Sequence, residues 1–318
     1  MAIKKIKRDD REKWLELRKH YIGGADAASV VGLNDYQSPY SLWCEKKGVT
    51  PSFEGNLRTR VGTELEPVIA KLFEEETGKK VQNCNFSLIN DQYPWAMADV
   101  DRMVVGEDAL LEIKSTSSLN LKHYRNGDYP ARFYVQVMHY LAVTGKQKAY
   151  LAVLIGNSDF KWFPIERDEA EIAALMDAEK QFYEYMTNET PPPVDGSEST
   201  KTALNEMFSP TEEEPEPADL SDKKQALDTL MEINSAIEQL ESQRDTIKNQ
   251  LIESIGDSWH GNCSGYSISY KPQTRKTFDW KKLQKECPEI DLNPFFKTST
   301  SRSLSIKRVQ EESDHAVQ

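Results

Sequence analysis

The sequence predicts an α/β domain over residues 1–190, followed by a long helix and a small β-rich C-terminal region. Three observations carry this. Between residues 1 and 190, runs that alternate with a period of two (WAMADV, KAYLAVLIG, DFKWFPIE) are interleaved with runs of helical period. Residues 191–222 then turn rich in Pro, Ser, Thr and Glu, a linker composition. Residues 223–257 carry Leu230, Ile233, Ile237, Leu240, Ile247 and Leu251 at spacings of three and four, interrupted by Arg244, which is a heptad-like helix.

Taken in order, DDREKWLELRK (9–19) reads as a short amphipathic helix with Trp14, Leu17 and Leu15 inward. In YIGGADAASVVGL, Gly23 and Gly24 permit a tight turn before a helix capped by Asp26. Backbone N–H groups at such a junction can seat a phosphate, or form a plain loop-to-helix joint. SPYSLWCEKKG forms a helix ending at Gly48. RVGTELEPVIAKLFEEE (60–76) forms a helix with an apolar stripe of Leu65, Val68, Ile69, Leu72 and Phe73, closed by Gly78. At about 100° per residue, Glu64 and Glu66 fall on opposite borders of that stripe, and periodicity does not choose between them.

VQNCNFSLI is a strand, and WAMADVDRMVVGEDALLEIKST is a hairpin turning at Gly106 to Ala109. Pro130 begins a helix to Thr144, stopped by Gly145. KAYLAVLIG and DFKWFPIE pair as a hairpin, and DEAEIAALMDAEKQFYEYM is the last helix of the domain. Residues 258–310 alternate in GYSISYK and SRSLSIKR and are read as β-rich. From Trp259 to Arg308 they hold ten basic against four acidic side chains, a solvated face or a DNA-facing one. The tail, 311–318, reads as disordered.

Composition narrows the function classes. No apolar run approaches the ~20 residues that span a bilayer, and MAIKKIKRDDREKW lacks the apolar stretch of a secretory signal. The four cysteines are scattered with no C-x-x-C pair, so they read as reduced thiols of a cytoplasmic protein. The five histidines lack zinc-ligand spacing. There is no P-loop, dinucleotide fingerprint or nucleophile elbow. Of the net charge of −12, half sits in residues 211–222, so total acidity does not exclude a DNA substrate.

The chemistry gathers at the hairpin. A period of two places Met97, Asp99, Asp101 and Met103 on one face of its first strand. On the second, Leu110, Glu112 and Lys114 share a face, while Leu111 and Ile113 point into core. A carboxylate on one strand thus stands beside a carboxylate and a lysine on its neighbour. Grouped acidic oxygens suit Mg²⁺, a hard cation, and the lysine can orient or help deprotonate a water. Gln136 and Tyr140, four apart on one helix face, can hold a phosphate or a base nearby, or simply form a polar edge.

In this order and spacing, LRKHYIGGADAASVVGL, GTELEP, the ADVDR…LEIK pair and QVMHY resemble the YqaJ-type viral recombinase family, which is similar to lambda exonuclease within the PD-(D/E)XK nuclease superfamily. The resemblance covers the first ~190 residues. It implies a restriction-endonuclease-like fold, a central mixed sheet flanked by helices. It implies Mg²⁺-dependent (or Mn²⁺-dependent) cleavage of DNA, 5′-to-3′ on linear duplex ends, leaving a 3′ strand for a partner annealing protein. It favours Glu66 over Glu64 and Asp101 over Asp99.

By the same resemblance, Asp101, Glu112 and the Ile113 carbonyl hold one metal ion, and Glu66 helps hold that ion or a second. Lys114 positions and activates the attacking water. Gln136, Tyr140 and Arg18 orient the strand, with Gly24 in the phosphate seat. Where the family commonly has Gly-Gly-Ser-Asp-Ala, this chain has Gly23, Gly24, Ala25, Asp26, Ala27, which removes a hydroxyl and puts 5′-phosphate preference in question. The resemblance further implies a phage- or mobile-element protein of the bacterial cytoplasm and a homo-oligomer, a toroidal trimer among the options. Two rival readings stay open: a catalytically silent DNA-binding scaffold, and an endonuclease of the same fold.

Overall fold

The computed structural model describes residues 2–51, 55–210, 216–297 and 302–307. In chain order its elements are β1 (Ile3–Lys7), α1 (Arg11–His20), β2 (Ile22–Gly23), α2 (Gly24–Val30), α3 (Pro39–Lys46), α4 (Leu57–Thr77), β3 (Val81–Asn83), β4 (Phe86–Asn90), β5 (Tyr93–Ala98), β6 (Arg102–Val104), β7 (Ala109–Thr116), α5 (Ala131–Thr144), β8 (Lys148–Ile155), β9 (Asp159–Glu166), α6 (Glu169–Thr187), α7 (Glu198–Met207), α8 (Lys224–Ile255), β10 (His260–Cys263), β11 (Tyr266–Ser269) and α9 (Trp280–Glu286). They fall into two units, one of residues 1–209 with 301–318 and one of residues 210–300.

The first unit holds a five-stranded sheet in the order β3-β6-β7-β8-β9. Only β7 and β8 run parallel in it, with Glu112 opposite Leu151 and Lys114 opposite Val153; its other pairings are antiparallel. This is the mixed sheet that the family resemblance implies. A four-stranded sheet, β1-β4-β5-β2, stands beside it.

Both faces of β7 are buried, which is why its sequence reads as a nearly continuous apolar run. Leu111 and Ile113 pack against Ile69 and Phe73 of α4. Leu110, with Leu151 and Val153 of β8, packs against the side of α5 that carries Val137, Met138 and Leu141. Glu112 lies on this second face, in core rather than at a surface.

The helices start and stop where their residues dictate. Asp10 accepts from the Glu12 and Lys13 N–H groups and caps α1, and Asn56 caps α4 by accepting from Thr59 N–H. Gly78 and Gly145 end α4 and α5 in the left-handed region, at φ of 71° in each case.

Several expectations are corrected. The strand read through residues 97–103 is two strands: β5 ends at Ala98 and β6 starts at Arg102, in different sheets, so Asp99 and Asp101 do not share a strand face. VQNCNFSLI likewise divides between β3 and β4 in different sheets. Val68 is 50% exposed, so the buried stripe of α4 runs through Ile69, Ala70 and Phe73 instead. Leu15 is exposed as well. Asp26 caps α2 from its third position, accepting from Gly23 N–H.

The expected linker does not begin at 191. α7 packs Ala203 into a cluster with Tyr40, Leu42 and Trp43 of α3, and Thr200 bonds the Ser38 hydroxyl at 2.7 Å. Proline and acidic composition concealed a ten-residue amphipathic helix. Among the described residues of 258–310, the only strands are β10 and β11, paired as a hairpin; SLSIK is not strand, and α9 is a helix the alternation did not suggest. The expected disordered tail, 311–318, lies outside the described residues.

Candidate active site

The site sits where β6 enters the five-stranded sheet, between α4 and α5. β6 is short and pairs with β7 only at Arg102–Leu111 and Met103–Leu110. Beyond Leu111 the edge of β7 therefore lacks a strand partner on that side. Asp101 fills the gap, and its Oδ2 accepts the Ile113 N–H at 2.7 Å. Because N–H and C=O of one strand residue point the same way, the Ile113 carbonyl opens to this edge too.

Glu112 is 2% exposed. Its Oε1 receives Lys114 Nζ at 2.6 Å and Gln136 Nε2 at 2.8 Å. Its Oε2 is buried with no hydrogen-bond partner. Gln136 Nε2 also donates to the Tyr140 hydroxyl at 3.0 Å, so the two residues of α5 act on one carboxylate as a unit. Glu66 on α4 faces Arg102, with Oε2 3.8 Å from Nη1, and Arg102 donates in turn to the Asp101 carbonyl. Glu64 is exposed and makes none of these contacts. Glu66, Asp101, Glu112, Ile113, Lys114, Gln136 and Tyr140 thus belong to one connected group.

Asp99 is occupied elsewhere. It accepts from Trp14 Nε1 at 2.9 Å and from the Ser87 hydroxyl, with Arg8 3.9 Å away. It ties α1 to β4, whereas Asp101 faces the other carboxylates.

The electrostatics are those of crowded buried acids. Burial, and then the Asp101 charge, push Glu112 up to about 8. Burial raises Asp101, and burial with the Asp101 charge raises Glu66. Burial by itself lowers Lys114, but Glu112 and Asp101 outweigh it and hold the ammonium above its usual range. Burial, with Glu112 and Asp101 beyond, drives Tyr140 well above a free phenol. All these shifts mark a shortage of positive charge.

The residues present fit a divalent cation on that ground and on one other, the orphaned Glu112 Oε2. Among the described residues, no three His, Cys, Asp or Glu side chains are already drawn into a metal-sized cluster. The nearest cation on Glu112 is instead the Lys114 ammonium.

Arg18 and Gly24 lie at one remove. Arg18 stacks on Trp14 at 5.0 Å and stands 3.5 Å from Asp26. Asp26 is buried against Lys46 Nζ at 2.6 Å, and Lys46 with Arg18 holds its carboxyl below the usual range despite burial. A Cβ on Gly24 would come within 2.3 Å of the Tyr140 ring. Gly24 therefore serves close packing of α2 on α5, through which it touches Tyr140 and so Gln136.

Four participants escaped the sequence reading. Arg8, Lys46 and Arg102 are basic residues without a motif. His139 is buried with both ring nitrogens hydrogen-bonded, Nδ1 with Glu179 Oε1 at 2.7 Å and Nε2 with the Met97 carbonyl at 3.0 Å. Burial by itself lowers the His139 pKa, but the Glu179 carboxyl beside it outweighs burial and raises it. His139 bolts α5 to α6 and β5 beside Gln136 and Tyr140. Its place three residues after Gln136 was the available signal.

The arrangement therefore offers three acidic side chains, a carbonyl and a lysine at the end of a hairpin, with an amide and a phenol behind them. Residues 13–147 match the model of the YqaJ-like viral recombinase domain. The chain is 35% identical over 284 residues to the uncharacterized protein YqaJ of Bacillus subtilis (strain 168), covering 88% of this chain and 89% of that protein. It belongs to the YqaJ family. Solved structures that it resembles include an alkaline exonuclease, LHK-Exo, from Laribacter hongkongensis, at 20% identity and a TM-score of 0.46 over 56% of this chain and 93% of that one. Another is a phage-related exonuclease from Haemophilus somnus 129PT, at 13% identity and a TM-score of 0.42, over 55% of this chain and 99% of that one. Among the described residues, no helix is long and apolar enough to cross a membrane.

Proposed function

We propose that this chain is a divalent-metal-dependent deoxyribonuclease that digests linear double-stranded DNA from its ends, 5′ to 3′, and leaves a 3′ single strand for an annealing protein. One observation carries the reading. A buried carboxylate with an orphaned oxygen, Glu112, stands at a strand edge beside Asp101 and the Ile113 carbonyl, within reach of a lysine.

Asp101, Glu112 and the Ile113 carbonyl would hold Mg²⁺ (or Mn²⁺), with Glu66 helping to hold that ion or a second. When bound, the ion supplies charge to polarise the phosphate and stabilise the leaving oxygen. The chain's own groups do the positioning. Lys114 keeps its proton while paired with Glu112, so its Nζ–H groups orient the attacking water and the phosphate oxygen rather than withdrawing a proton at the outset. Gln136 holds Glu112 Oε1 from behind, and Tyr140, kept as a neutral phenol, holds Gln136. Arg18, on the α1 side, is the cation available to a DNA phosphate once Asp26 is satisfied by Lys46.

A digestion assay on linear and closed circular duplex DNA, with and without Mg²⁺, tests this. Release of nucleotides from linear DNA alone, only with metal, is expected. Cutting of the closed circle indicates an endonuclease, and no cutting of either indicates a silent scaffold; both overturn the proposal. Comparing 5′-phosphate with 5′-hydroxyl ends tests the consequence of Ala25 in the place of a hydroxyl.

A further inference from the structure

α8 runs 32 residues, from Lys224 to Ile255, and none of them is buried. Along it Ala226, Leu230, Ile233, Ile237, Leu240, Arg244, Ile247 and Leu251 follow each other at alternating spacings of four and three. Ile233, Ile237, Leu240, Ile247 and Leu251 are 43–63% exposed. A strict 3.5-residue repeat tracks a straight seam only when a second helix coils against it. The face is thus written for a helix of similar length, about 48 Å.

Orientation follows from charge. Arg244 occupies a seam position, and its guanidinium is held to the flank by Glu241 at 3.0 Å and Asp245 at 3.1 Å. In a parallel pair of identical helices, Arg244 meets Arg244, a like-charge layer in the middle of the seam. Turning one helix end for end removes it. In full antiparallel overlap Ile237 faces Leu240 of the second copy, Leu230 faces Ile247 and Ala226 faces Leu251. Arg244 then lays its stem on Ile233 of the second copy, so no layer of the seam holds two Arg244 side chains. The helix is complementary to itself reversed.

We propose that α8 pairs antiparallel with α8 of a second copy of this chain, so that the protein self-associates through its C-terminal unit. The test uses the full chain with Cys263→Ser and Cys287→Ser, which leaves only the buried Cys44 and Cys84. One tagged population carries Leu230→Cys and a differently tagged one Ile247→Cys. On mixing and mild oxidation, a mixed disulfide between the two tags is expected. Leu230→Cys chains that cross-link only to each other overturn the antiparallel arrangement. Light scattering of Ile237→Asp/Leu240→Asp should give half the wild-type mass with helical circular dichroism retained. An unchanged mass, or a wild-type chain that is monomeric throughout, overturns the pairing.

Discussion

Lys114 Nζ lies 2.6 Å from Glu112 Oε1, two residues away on the same strand face, and the acid it holds is 2% exposed. The lysine supplies the charge that a cation would otherwise supply to this carboxylate. Replacing Lys114 by Met should cut digestion by about 10²- to 10³-fold, the range for losing one preorganised donor to developing charge. The metal-free variant should still fold, because Glu112 can accept a proton once its partner is gone. Steady-state digestion and a thermal melt check both parts; an unfolded chain or full activity would contradict them.

Metal binding should depend on pH with a definite sign. Glu112, pushed to about 8 in the folded chain from an ordinary value of 4.5, binds a proton that the cation must displace. Affinity for Mg²⁺ should therefore tighten about tenfold per pH unit below that value and level off above it. The same shift has a folding consequence. A raised carboxylate favours the metal-free fold fully below its ordinary value, and that contribution is lost as pH rises through about 8. Calorimetric titration at several pH values reads the first effect, and Glu112→Gln, which removes the titration, should flatten both.

Gly24 is set by the Tyr140 ring. Gly24→Ala would drive a methyl to within 2.3 Å of that ring. Overpacking here should cost about 1–3 kcal/mol. Since Tyr140 supports Gln136, catalytic rate should fall as well. Pairing it with Tyr140→Phe, which keeps the ring, separates the clash from the lost hydroxyl; a melt unmoved by Gly24→Ala contradicts this packing.

The boundary of the first unit is testable by truncation. A chain ending at 190 loses α7 and bares Tyr40, Leu42 and Trp43, whereas one ending at 209 keeps them covered. The longer fragment should melt cooperatively and the shorter one at lower temperature or not at all. Equal melts would place the boundary back at 190.

What the sequence made legible follows the range of the forces involved. α4, α5, α6, β7, β8 and β9 carry their own periodicity and stop signals, so they were readable locally. Asp101, Glu112, Lys114, Gln136 and Tyr140 drew attention because one hairpin and one helix present them, while the choice of Asp101 over Asp99 came from the family resemblance. Two kinds of feature were not. The break at Asp99–Asp101 arises because two sheets share one segment, which a period of two cannot reveal. The basic partners Arg8, Lys46 and Arg102, and the His139–Glu179 pair, join residues 40 or more apart or lie in no motif, so only the fold brings them to their acids.

The central claim is that Asp101, and not its neighbour Asp99, belongs to the metal and the chemistry. Asp99 is spent on Trp14, Ser87 and Arg8, while Asp101 faces Glu112 across the strand edge. The direct measurement is Mg²⁺-dependent release of nucleotides from linear duplex DNA by Asp101→Asn and Asp99→Asn beside the wild type. Asp101→Asn should be inactive with its melting temperature kept, and Asp99→Asn should melt lower while still digesting DNA. An active, folded Asp101→Asn would contradict the account.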